Sequence, residues 1–190
     1  MSRAFACRIP LFGTFLFGLL LLETCSGQIT DLRGNPADPL SDHGKVRVLL
    51  FVRTDCPITN RYAPELRRIA DHFAQSPVAF FLVYSGRAES GPVVEKHIRE
   101  YRFPGTAILD PGHDLARRAH ATVAPEAAVF DRTGRLVYHG RIDDRWISFG
   151  TSRPQPTVHD LESAVAAALA GKAPREQRTQ AIGCSLEDVR

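Results

Sequence analysis

The stretch VRVLLFVRTDCPITNRYAPELRRIADHF, residues 46–73, changes its hydrophobic period at Cys56. Up to Val52 it is a nearly unbroken run of β-branched and apolar residues, the composition of a strand buried on both faces of a sheet. Beyond Cys56 the apolar positions are Tyr62, Leu66, Ile69, Ala70 and Phe73, and their spacing marks one face of a helix. A buried strand therefore hands over to a helix at the cysteine. The first N–H groups of a helix lack partners and its dipole favours negative charge, so a thiol there is biased toward the thiolate, the form that attacks disulfides and peroxides. On position alone, an inert cysteine filling space at the sheet edge is the competing reading.

The same alternation runs outward. Val78–Tyr84 is a second buried strand, Pro92–Tyr101 a helix with Val94 and Ile98 on its apolar face, Thr106–Leu109 a short strand, and Leu115–His120 a short helix. Ala127–Phe130 and Leu136–His139 flank Asp131-Arg132-Thr133-Gly134, which reads as a hairpin. Thr157 and Asp160 resemble a capping box before Leu161, Val165 and Leu169, and Gly171 with Pro174 ends that helix. The order βαβαβαββα predicts an α/β domain with a central mixed sheet flanked by helices.

At 190 residues and 44% hydrophobic content the chain suits one domain. Residues 1–27 place Arg3 and Arg8 before an apolar run from Ile9 to Leu22, followed by small residues, the layout of a secretory signal. The run is shorter than the roughly 20 residues a membrane span needs. Export to a periplasmic or extracellular compartment follows as an expectation. Membrane anchoring, through an uncleaved signal or through lipidation of Cys25 in Leu22-Glu23-Thr24-Cys25, is the alternative. Residues 28–45 read as a lead-in loop, 46–171 as the domain and 172–190 as a polar tail with a short apolar segment around Cys184.

The formal charge of +3 is spread without a run of five like charges, and the aromatic residues sit mainly inside apolar runs, which argues against nucleic acid. No cofactor signature is present. Once Cys7 and Cys25 leave with the signal, Cys56 and Cys184 remain, in a compartment where disulfides persist. A permanent staple between them would close a long loop and contribute about 4–5 kcal/mol. A copper site using both thiols and His139 or His159 is a further alternative, although no histidine or second cysteine stands at ligand spacing beside Cys56. Arg141, Asp143, Asp144, Arg145 and Trp146 read as a salt-bridged cluster on a solvated edge, with partner binding as the other reading.

Two prolines then carry a resemblance. Pro64 lies within the helical pattern after Cys56, where it should kink the helix, and Ala124-Pro125 precedes a strand as a candidate cis bond. This arrangement resembles the thioredoxin superfamily, over about residues 46–171, and from TDCPITNRYAPELRRI to VFDRTGRLVYHGRIDDR it is similar to the exported, peroxiredoxin-like redoxin branch. The resemblance implies a thioredoxin-like fold with an extra αβ insertion before the cis-proline loop, Cys56 as the reactive thiol and Pro125 opposite it, with Arg53, Asp55 and Ala124 on the substrate side. The sequence departs from the pattern in places. Cys56-Pro57-Ile58-Thr59 puts Thr59 where thioredoxins have a second cysteine, and Leu49 and Arg53 replace the Pro and Thr of the peroxiredoxin PxxxTxxC motif. Thr59 can donate a hydrogen bond to the thiolate instead, and Arg53, Arg61 and Arg68 are cationic candidates near it. Cys184 resembles the resolving cysteine on the C-terminal arm of two-cysteine peroxiredoxins. The implied function is thiol redox chemistry on a small peroxide or a protein disulfide, restored by an external thiol reductant and resolved within one chain or across a homodimer. No metal is implied.

Overall fold

Every residue of β1 (Val46–Val52) is buried, because the strand lies at the centre of a sheet covered on both faces. The structure, a computed structural model, describes residues 27–41 and 43–186. The expectations for the signal segment, Cys7 and Cys25 fall outside those residues. Among the described residues no helix is long and apolar enough to cross a membrane.

After β1 come α1 (Pro57–His72), β2 (Val78–Tyr84), α2 (Gly91–Tyr101), β3 (Thr106–Leu109), α3 (Asp114–Ala119), β4 (Val123–Ala124), β5 (Glu126–Phe130) and β6 (Leu136–Gly140). The main sheet has the order β3-β2-β1-β5-β6. Its first three strands are parallel, joined through helices, while β5 and β6 run antiparallel. This is the α/β mixed sheet flanked by helices that the alternation predicts. β7 (Trp146–Ser148) and β8 (Thr151–Ser152) form a separate hairpin, α4 (Asp160–Leu169) returns to the sheet, and β9 (Cys184–Ser185) pairs with β4.

The strand period of two divides the core. Val46, Val48, Leu50 and Val52 pack toward Leu66 and Ile69 of α1 and Leu161 and Val165 of α4, whereas Leu49 and Phe51 face Leu115 and Ala119 of α3. Burying such a side chain contributes about 1.5–3 kcal/mol, so β1 is the element the fold can least lose. Arg47 breaks the pattern. It is buried on β1, and its guanidinium donates from Nη2 to the Asp131 carbonyl oxygen at 2.8 Å.

Three expectations are corrected. The tail does not trail into solvent: after α4 it runs back along β6, where the His139 N–H donates to the Gln177 carbonyl and the Thr179 N–H donates to the His139 carbonyl. Most of its side chains stay exposed, in keeping with their polar composition, while these backbone bonds tie the segment to β6. Thr157 does not cap α4, which starts from His159; its N–H and hydroxyl both donate to the Asp144 carboxylate, at 2.6 Å each. The 141–146 cluster is interior rather than solvated. Asp143, Asp144 and Trp146 are buried, Tyr62 donates its hydroxyl to Asp143 at 2.6 Å, and Arg141 pairs with Asp160 at 2.7 Å.

Candidate active site

Cys56 is the residue at which β1 ends and α1 begins. Its extended backbone (φ −92°, ψ 112°) turns the chain, its carbonyl accepts the first helical bond from the Asn60 N–H at 3.1 Å, and Pro57 starts the helix without requiring a donor. Pro64 sits inside α1. The Ala124–Pro125 peptide is cis, and it follows β4 directly.

The two halves of the site meet at sulfur. Cys56 is fully buried, its thiol donates to the Ala124 carbonyl oxygen at 3.1 Å, and its Sγ lies 2.6 Å from Sγ of Cys184, a residue 128 positions later. Both are free thiols. Cys184 is delivered by backbone pairing: β9 lies antiparallel to β4 with Cys184 opposite Ala124 and Ser185 opposite Val123. The Leu186 N–H donates to the Thr122 carbonyl at 2.9 Å, and the Leu186 side chain is buried with Leu49, Phe51 and Leu115. Gly183 makes the approach possible, because a Cβ there would stand 2.2 Å from the Ala124 carbonyl oxygen.

Electrostatics separate the two sulfurs. Burial pushes the Cys56 thiol up, but hydrogen bonds from the Cys184 thiol and from the Thr59 backbone and hydroxyl outweigh it, so Cys56 lies below the usual thiol range. Cys184 is pushed up to about 12, first by burial and then by its bond to Cys56 and the charge Cys56 carries as a thiolate. Cys56 is therefore the more acidic of the two thiols, the one that ionises first, and Cys184 is the proton donor between them. The Thr59 hydroxyl is buried and has no partner other than this sulfur, which leaves its proton to the thiolate.

Arg53 and Asp55 are brought to the rim but point at each other and at the arm. The Arg53 guanidinium grips Asp55 through two bonds of 2.9 Å and donates from Nη1 to the Ser185 carbonyl at 2.8 Å. That grip holds the Asp55 carboxyl below the usual carboxylate range. The other arginines go elsewhere: Arg61 stacks over Trp146 at 5.7 Å, and Arg68 bridges Glu65 and Glu162. His139 lies 3.7 Å from Glu126 and His159 lies 3.9 Å from Glu65. Among the described residues, the grouping close enough to share an ion is Glu65, His159 and Glu162, which contains neither cysteine and whose carboxylates already bind Arg68.

One residue had no signal in the sequence. Glu89, in the loop after β2, accepts the Thr54 N–H at 2.9 Å through one oxygen, while its other oxygen is buried without a partner. Burial pushes its carboxyl above the ordinary range. It braces the turn that carries Cys56, a contact that joins positions 35 residues apart and leaves no local pattern.

A family model described as Redoxin matches residues 24–152. Among solved structures, an uncharacterised conserved protein from Geobacillus kaustophilus is 27% identical with a TM-score of 0.68, over 84% of this chain and 86% of that one. A hypothetical protein from Sinorhizobium meliloti is 25% identical with a TM-score of 0.69, over 84% and 88%. A thiol:disulfide interchange protein of the thioredoxin family from Chlorobium tepidum, 18% identical with a TM-score of 0.53 over 74% and 90%, shares the fold. No curated protein matches the chain.

Proposed function

The chain belongs to the redoxin family, and from that premise we propose that it is an exported thiol–disulfide oxidoreductase in which Cys56 is the nucleophile and Cys184 the resolving thiol. The observation that carries this reading is the 2.6 Å approach of two free sulfurs whose acidities are driven apart. The Cys56 thiolate attacks one sulfur of a disulfide, forms a mixed disulfide and releases the other sulfur as a thiolate. That bond removes the negative charge and the acceptor that hold Cys184 protonated, and the Arg53 cation then favours ionisation of Cys184. Cys184 attacks Cys56 Sγ, the Cys56–Cys184 bond forms, and the second substrate sulfur leaves. Two electrons have passed to the substrate, and an external thiol reductant restores the pair.

Export is supported by the basic and apolar N-terminal pattern around Arg3, Arg8 and Ile9–Leu22, and an oxidising compartment is where such a pair would be used.

The test is single-turnover reaction of the reduced protein with dithionitrobenzoate, followed by mass spectrometry. Cys56→Ser should abolish it, and Cys184→Ser should stop at the mixed disulfide. Unchanged turnover in Cys56→Ser overturns the reading. Oxidation of the pair by hydrogen peroxide faster than by a disulfide would reassign the substrate. A reduction potential above about −300 mV is expected of a working pair, and one well below it would mark a permanent staple.

A further inference from the structure

α1 and α4 pack on the same face of the sheet, and side chains that can ligate a metal converge between them. Glu65 and His72 stand two turns apart on α1, while His159 is the N-cap of α4 and Glu162 lies in its first turn. Spacings of seven and three keep each pair on one side of its helix. One ligand atom each from Glu65, His159 and Glu162 lies within 4.8 Å of the others, and His72 adds its Nε2 at 3.7 Å from Glu162 Oε1. None of these residues takes part in the thiol chemistry proposed above.

We propose that Glu65, His159 and Glu162, with His72 as the fourth ligand, form a binding site for a divalent first-row transition ion of the Zn2+ type, and that Arg68 is the cation this metal displaces. The inference stands independently of the thiol-redox reading.

Distances separate coordination from simple ion pairing. His159 Nδ1 lies 3.9 Å from Glu65 Oε1 and His72 Nε2 lies 3.7 Å from Glu162 Oε1, both too long for a hydrogen bond. Ligands about 2.0–2.2 Å from a tetrahedral Zn2+ stand about 3.4 Å apart, so side-chain movements of about 1 Å or less bring the group to coordination spacing. The donor set decides which ion. Two imidazole nitrogens and two carboxylate oxygens suit Zn2+, whereas Cu+ prefers thiolates and Mg2+ and Ca2+ prefer oxygen alone.

Electrostatics supply a second reason. Glu65 and Glu162 are largely shielded from solvent and both turn toward one point, an arrangement that needs a cation. Arg68 fills that need: its guanidinium donates to Glu65 Oε1 at 2.7 Å and bridges to Glu162 Oε2. Glu65 Oε1 is also the oxygen nearest His159, so guanidinium and metal compete for the same atom. Ion pairs of a long, half-exposed side chain contribute little, so Arg68 can swing out, and a dication then brings one more positive charge to both carboxylates. Entry is open. The groove between the helices is lined by both histidines, Phe73 and Ser163, and the His72 ring is oriented edge-on against Phe73 with centroids 4.7 Å apart. A bound metal cross-links α4 to the helix that starts at Cys56, and it stabilises the fold as the free ion concentration rises.

The experiment uses the full chain carrying Cys7→Ser, Cys25→Ser, Cys56→Ser and Cys184→Ser, so that no thiolate takes the metal. Isothermal titration with Zn2+ alone should show one equivalent bound, with a Tm that climbs with free Zn2+. His159→Ala and Glu162→Gln should each weaken binding at least about tenfold. Arg68→Ala should tighten it about three- to tenfold, since no guanidinium then has to leave. The side chains of His159 and Arg68 are each 46% exposed, so these variants keep the fold, which circular dichroism verifies. Absence of Zn2+ binding, an affinity unchanged in either ligand variant, or no tightening in Arg68→Ala overturns the inference.

Discussion

Ala124 is the strand partner of Cys184 and also the residue whose carbonyl oxygen lies 3.1 Å from Cys56 Sγ. One short element thus sets both thiols. Its neighbour across the ladder fixes where the second sulfur arrives, and its own carbonyl fixes where the first one sits.

Thr59→Val should raise the Cys56 pKa. Valine keeps the buried volume and leaves the Thr59 backbone N–H in place, so only the hydroxyl donor is lost, and that donor favours the thiolate. The pH profile of Cys56 alkylation, measured on the Cys184→Ser background, should move to higher pH. A profile that stays put would mean the hydroxyl serves packing alone.

Arg53→Ala should slow resolution more than attack. The substitution removes the bond to the Ser185 carbonyl, and with it the nearby cation that counteracts the raised pKa of Cys184. The mixed disulfide should therefore persist about tenfold longer, in keeping with the loss of one charge-assisted hydrogen bond worth about 1.5–3 kcal/mol, part of which water restores at this rim. Quenched-flow trapping of the intermediate measures this. A variant in which the first step slows and the second does not would place Arg53 in substrate contact instead.

Gly140→Ala should release the arm. A Cβ at Gly140 would lie 2.3 Å from the Thr179 carbonyl oxygen and hydroxyl, at a residue with φ +144° that side chains rarely adopt. Thr179 is also the point where the arm meets Tyr138 and the Arg141 N–H, so its loss unhooks the segment ahead of Cys184. Limited trypsinolysis at Arg178 should be at least about tenfold faster in the variant, since cleavage follows local opening. Equal cleavage would show that β9 and Leu186 hold the arm without help.

The long elements were legible in residues 46–171 because each buries a periodic face: β1, β2 and β3 fall at the bounds that their apolar runs predict. The two cysteines were legible as a pair by their scarcity, and Pro125 by its place before β5. What stayed hidden is made of short-range shape and long-range contact. β4 and β9 have two residues each and no period to read. Gly183 carries no local pattern that announces the Ala124 backbone lying against it. The acidic pair Asp143 and Asp144 read as surface charge because no local pattern shows that Tyr62 and Thr157 satisfy them from elsewhere.

Asp144→Asn should destabilise the fold and flatten its acid limb. Burial pushes this carboxyl up, but the Thr157 hydroxyl, the Val158 and Thr157 N–H groups and the Arg153 cation together hold it far below the usual carboxylate range. A depressed folded-state pKa means the stabilisation is fully present above the unfolded carboxylate value, about 3.9, and is lost as pH falls through the folded-state value. At neutral pH an amide returns only one acceptor to several donors, so the cost should be about 1–3 kcal/mol, seen as a lower urea midpoint. Below about pH 4 the gap between the two proteins should begin to narrow, because the wild-type carboxylate progressively loses the advantage the amide never had. Urea midpoints measured from pH 7 down to pH 3 decide the matter. A constant gap across that range would mean that Asp144 acts through shape and not through its charge, and the link it makes between the 141–146 turn and the start of α4 would need another source of energy.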